Sequence, residues 1–108
     1  MTINSAHRVV MVVFDGIHAL DVTGPLDVFS CASRLLLGSG RTASASYDVC
    51  LAANRRGPVR TSSGLALVAD FAWSCLGHVD TLLVSGPARD EAMPESSEFL
   101  AWLAENAR

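Results

Sequence analysis

The 108-residue chain contains no lysine; its eight basic residues are all arginine and stand against eleven acids, giving a formal net charge of −3. Without an excess of positive charge there is no electrostatic footprint for a phosphate backbone, so these residues are not expected to bind nucleic acid. Cysteine is scarce. Cys31, Cys50 and Cys75 form neither an even set nor a C-x-x-C pair, which argues against a disulfide scaffold and fits a reducing, cytoplasmic compartment. Long apolar runs are missing as well. The first, Val9 to Phe14, is six residues, too short for a signal-peptide core or a membrane span. No solenoid-period repeat or low-complexity segment is present. What remains is half hydrophobic and 18% charged, the balance of one folded domain at most.

Within that balance the apolar residues are patterned. VVMVVF at 9–14 is continuous and β-branched and breaks at Asp15-Gly16, as a strand buried on both faces of a parallel sheet does. Leu26, Phe29, Ala32 and Leu36 recur at spacings of three and four, with Pro25 suited to a first turn and Gly38 to a stop; this predicts a helix over about 25–37. YDVCLAA at 47–53 reads as a second buried strand. In GPVRTSSGLALVAD, Val59 and Thr61 face Leu65 and Leu67 across a Ser-Ser-Gly turn, which predicts a hairpin at the edge of the main sheet. A short helix is expected over 71–76, a third buried strand within VDTLLVSG at 79–86, and a last helix carrying Phe99, Leu100, Leu103, Ala104 and Ala107, starting near Pro94 or Ser96. Alternation of this kind specifies an α/β fold with a parallel sheet.

Few residues stand out chemically. Gly38 to Ala43 fits G-x-G-x-x-A, but follows a helix rather than a strand, so its amides are not placed for a pyrophosphate and it reads as a loop. Arg55, Arg56 and Arg60 read as a solvated turn. His7, His18 and His78 show no metal spacing, and all three cysteines lie in or beside apolar elements, where the thiol packs as a small hydrophobe. Asp15, Asp21 and Asp27 gather around the exit of the first strand, the end at which α/β proteins build their sites. Asp27 is explained by the first helical turn. Asp21, in the loop before Gly24-Pro25, is divided evenly between loop hydrogen bonding and function. His18 lies in the same loop.

VVMVVFDG, ALDVTGPLDVF, YDVCLAA, the TSSGL stretch and VDTLLVSG together resemble the start of the ThiJ/PfpI superfamily of glutamine amidotransferase-like domains, over nearly the whole chain and in order. ALDVTGPLDVF at 19–29 is the most specific piece. It looks most like the sensor domain that precedes the helix-turn-helix region of AraC-type transcriptional regulators, and next most like the isonitrile hydratases. The resemblance implies a flavodoxin-like parallel sheet, present here as a partial domain. It also implies that Asp21 holds the position of a carboxylate that hydrogen-bonds a cysteine nucleophile on a strained turn. That turn is expected beyond the last helix of this chain, so none of its own cysteines occupies it. The glycine pair that supplies an oxyanion donor corresponds to Ser85-Gly86-Pro87. Proline at the second place removes an N–H, whereas a one-residue shift gives the role to Gly86.

The resulting expectation is that residues 1–108 form the N-terminal portion of a ligand-sensing domain, with the helix-turn-helix domain absent. The alternative is a fragment of a hydratase or amidohydrolase using a cysteine beyond its end. Asp21 is the candidate catalytic position and Gly86 and His18 the candidate ligand contacts. No metal or cofactor is implied. The expected partner is a small-molecule effector, with DNA reached only through the absent domain, no membrane, and a homodimer of the full-length protein left open.

Overall fold

The structure, a computed structural model, describes residues 7–38, 46–85 and 97–106. Its elements in chain order are β1 (His7–Val12), α1 (Ala19–Gly38), β2 (Tyr47–Ala53), β3 (Gly57–Arg60), β4 (Ala66–Ala69), β5 (Phe71–Ala72), a 3-10 turn (Trp73–Cys75), β6 (Thr81–Val84) and α2 (Ser97–Asn106). The main sheet has the order β5-β2-β1-β6, and β1 runs parallel to both neighbours, with Val10 opposite Cys50 on one side and Leu82 on the other. The three longer strands thus stand in the order second-first-third, as in flavodoxin-like sheets.

The apolar run of β1 explains its central place. Val9 to Phe14 are all buried, and alternate side chains enter opposite layers, as the two-residue period of a strand requires. Met11 and Val13 join Ile17, Val22, Val59 and Ala69, with Leu26 of α1 packed against them. Val10 and Val12 join Trp73 and Phe99, with Trp102 and Leu103 of α2 packed against them. Each such side chain taken fully out of water contributes about 1.5–3 kcal/mol. Trp73, Phe99 and Trp102 meet with ring centroids 5.5–6.1 Å apart, which ties the 3-10 turn to α2.

Two aspartates start the edge strands by the same device. Asp70 N–H donates to Leu51 O at 2.9 Å while Leu51 N–H donates to Asp70 Oδ2 at 2.9 Å. Asp80 N–H donates to Arg8 O at 3.0 Å while Arg8 N–H donates to Asp80 Oδ2 at 2.7 Å. In both cases a carboxylate satisfies a backbone donor of the inner strand just before the ladder begins. The Arg8 N–H, and after it His78 at 2.6 Å, hold the Asp80 carboxyl below the ordinary aspartate range.

Several expectations are corrected. α1 begins at Ala19, six residues before the expected start, with Pro25 inside it. Proline there removes the N–H that would bond the Asp21 carbonyl, a local cost overcome by burial of Val22 and half-burial of Leu26. Asp27 therefore lies in mid-helix, exposed, and Asp21 takes the first turn. β3 and β4 pair as expected, Val59 opposite Leu67, but form a separate two-stranded sheet. Residues 71–76 hold β5 and a 3-10 turn rather than a helix: six residues are too few to repay helix nucleation, and Phe71 and Ala72 gain ladder bonds to Ala52 and Ala53. Cys31 and Cys75 are exposed rather than packed, and Cys50 is half-buried. Cys31 is exposed because Val22 and Ser33 set the inward face of α1. Ser33 is held there because its hydroxyl bridges the backbone N–H and carbonyl of Tyr47.

Candidate functional site

Beyond Val12 the chain leaves the sheet but stays anchored to it, Val13 N–H donating to Ala52 O at 2.8 Å. A turn at Asp15-Gly16 follows, with Gly16 at φ 93°, a left-handed conformation that favours glycine. Three hydrogen bonds, two of them backbone to backbone, fasten this loop to the hairpin. Gly16 N–H donates to Arg60 O at 2.8 Å, Arg60 N–H donates to Asp15 Oδ1 at 3.0 Å, and Ser62 N–H donates to Ile17 O at 2.9 Å. Ile17, wholly buried, plugs the same junction from below. The hairpin turn is itself closed, with Thr61 N–H donating to Leu65 O at 2.8 Å and the Arg60 guanidinium donating to Gly64 O at 2.9 Å.

This framework sets two polar pairs around the start of α1. His18 Nδ1 lies 3.1 Å from Ser62 Oγ, and Ser85 Oγ donates to Asp21 Oδ2 at 3.1 Å. Asp21 N–H also donates to His18 O at 3.1 Å. His18 and Asp21, both exposed, are thus joined by the first turn of one helix, where a carboxylate is favoured by the helix dipole. The arrangement lies at the carboxyl ends of β1 and β6, the edge at which α/β sheets form binding crevices. Its imidazole, carboxylate and two hydroxyls offer hydrogen bonds of both senses to a polar small molecule.

The structure brings Asp21 and His18 together, and Gly86 and Pro87 lie outside the described residues, as does the glycine-rich motif after Gly38. Ser62 and Ser85 were not singled out as site residues. Their signal was positional: Ser85 directly follows β6 and precedes Gly86, and Ser62 lies in the Ser-Ser-Gly turn just after β3. Neither Cys31 nor Cys50 approaches Asp21 as a nucleophile would. Cys31 is ten residues further along α1, about 15 Å at the helical rise. Cys50 packs on the α2 side of the sheet. Burial pushes its thiol up in spite of the nearby Arg8 charge, the opposite of what an activated thiolate requires. Among the described residues no three metal-ligating side chains converge, and no helix is long and apolar enough to cross a membrane.

No family model matches the sequence. An uncharacterized protein in the cpoL 5′ region of Streptomyces lividans is 38% identical over 90 residues, covering 83% of this chain and 56% of that protein. Among solved structures, a ThiJ/PfpI family protein from Pseudomonas syringae superposes with a TM-score of 0.68 at 23% identity, over 96% of this chain and 39% of its own. The chain has the ThiJ/PfpI-like fold. Two further structures share that fold: a DJ-1 superfamily protein from Agrobacterium tumefaciens (TM-score 0.61, 17% identity, 93% of this chain, 47% of that one) and an AraC family transcriptional regulator from Pseudomonas putida (0.59, 19%, 94%, 60%). The chain therefore spans about half the length of the proteins it matches.

Proposed function

We propose that this chain is the N-terminal portion of a ThiJ/PfpI-like ligand-sensing domain of an AraC-type transcriptional regulator, in which Asp21 and His18 contact a small-molecule effector. The observation that carries the reading is the composition of the site. A carboxylate and an imidazole, each backed by a serine hydroxyl, stand at the carboxyl end of the sheet with no thiol of this chain beside them. Such groups bind and orient a polar ligand through hydrogen bonds of both senses. The similarity to the Pseudomonas putida regulator supports the same role, as does the acidic net charge, which leaves DNA contact to a domain outside this chain.

A second reading, a hydratase or amidohydrolase, is favoured by one contact. Asp21 is already polarised by the Ser85 hydroxyl at 3.1 Å, and a carboxylate so held can orient a thiol supplied by further polypeptide. Assaying this chain and a longer product of its reading frame side by side separates the two. The regulator reading expects no sequence-preferring duplex binding and no thiol-dependent turnover from the 108-residue chain, and effector-dependent DNA binding from the longer one. Thiol-dependent turnover by the longer product, lost in Asp21→Ala and unaccompanied by DNA binding, establishes the enzyme instead.

A further inference from the structure

α1 carries Asp21 on its first turn, and the residues that follow are poorly suited to hold that turn to the rest of the helix. Pro25 lies inside the helix and has no N–H. Four residues back along the helical pattern is Asp21 itself, so the carbonyl of the site residue lacks its partner in the helix body. The Asp21 N–H is turned the other way, donating to His18 O at 3.1 Å, and its side chain accepts from Ser85 Oγ, just after β6. Asp21 is thus fastened to the loop before α1 and to the end of a strand.

The two residues before the proline deepen the break. Thr23 Oγ1 donates back to Ala19 O at 3.2 Å, a contact that weakens and bends helices. Gly24 is a poor helix former, and a Cβ built on it meets nothing within 4 Å, so no close approach calls for a glycine there. Beyond Pro25 the helix is anchored to β2 instead. Phe29 meets the Tyr47 ring edge-on, with centroids 5.0 Å apart, and the Ser33 hydroxyl bridges the Tyr47 backbone. Val22, buried in the same cluster as Ile17, seats the first turn and is the point about which it turns.

We infer that Thr23-Gly24-Pro25 is a hinge through which the first turn of α1 tilts independently of the helix body, the Ser85–Asp21 hydrogen bond being the latch that holds it. A ligand group that takes the Asp21 carboxylate in place of Ser85 releases the latch; that consequence alone rests on the proposed sensing role. Amide hydrogen exchange of the 108-residue chain, resolved by NMR, tests the hinge without ligand. The helical bonds of Leu26, Asp27 and Val28 reach back across it to residues 22–24, so Thr23–Val28 are expected to exchange about 100-fold faster than Phe29–Ser33, with a step at Phe29. Pro25→Ala restores a bond across the hinge and slows the fast group roughly 10- to 100-fold. Gly24→Ala slows it about 2- to 5-fold. Ser85→Ala speeds it roughly 3- to 10-fold and leaves Phe29–Ser33 unchanged, and circular dichroism confirms that each variant keeps its helix. Protection that rises gradually from Thr23 to Ser33, or a step indifferent to both Pro25→Ala and Gly24→Ala, is ordinary end fraying and overturns the hinge. Exchange unmoved by Ser85→Ala, or speeded alike along the whole helix, overturns the latch. An effector that fails to bind contradicts the sensing role and leaves the step in place.

Discussion

The two flanks of the central strand are built unequally. Toward β2, β1 is matched over six register positions, from His7 with Tyr47 to Val12 with Ala52, and that side continues into β5. The hairpin closes the layer above it through Val59 and Ala69. Toward β6 the match covers four positions, and β6 has no second strand neighbour among the described residues. Its Leu82 and Leu83 are half-buried and Val84 is 39% exposed. The site straddles this divide: His18 is tied to Ser62 on the closed flank, and Asp21 to Ser85 on the open one. The imidazole is thus held to the hairpin, whereas the Asp21 carboxylate, in the first turn of α1, is held to the end of the less buried strand.

Substitutions sharpen the contrast. Ile17→Ala, emptying a fully buried position on the closed flank, is expected to cost about 2–5 kcal/mol in urea unfolding. Leu83→Ala, at a half-buried position of β6, is expected to cost about 1–2 kcal/mol, scaled from the same transfer arithmetic. Equal losses from the two would remove the inequality.

Acid acts on the open flank through Asp80. Its folded carboxyl titrates below the ordinary value of 3.8 because it accepts the Arg8 N–H and pairs with His78. Its stabilising contribution is therefore present above that value and lost as pH falls through the lowered folded one. Asp80→Asn is expected to flatten the decline in urea midpoint below about pH 4, and an unchanged acid limb assigns the decline elsewhere. The smallest stability effects belong to the site itself. Asp21→Ala and His18→Ala, both at exposed positions, are expected to shift stability by no more than about 0.5 kcal/mol. On the proposed sensing role, each is expected to abolish the heat of effector binding measured by titration calorimetry.

Much of the fold was legible because burial writes itself into composition. The continuous apolar run marked the central strand, although the ladder spans His7–Val12 and Val13 and Phe14 are buried beyond it; the run reports burial rather than hydrogen bonding. YDVCLAA has the expected bounds, and the hairpin register follows from its Ser-Ser-Gly turn. The start of α1 was hidden by Pro25, whose cost is local while the gain from packing Val22 and Leu26 is tertiary. β5 was hidden because two residues carry no period. For the site, Asp21 and His18 were visible as polar residues after a buried strand. Their partners Ser62 and Ser85 were not, since pairing across 44 and 64 residues depends on topology that local sequence does not encode.

The unequal flanks are tested most directly by native-state hydrogen exchange on the 108-residue chain. The ladder amides of Val9–Val12 are expected to exchange only through global unfolding, and those of Thr81–Val84 about 100-fold faster through local opening. Equal protection of the two strands would contradict the account.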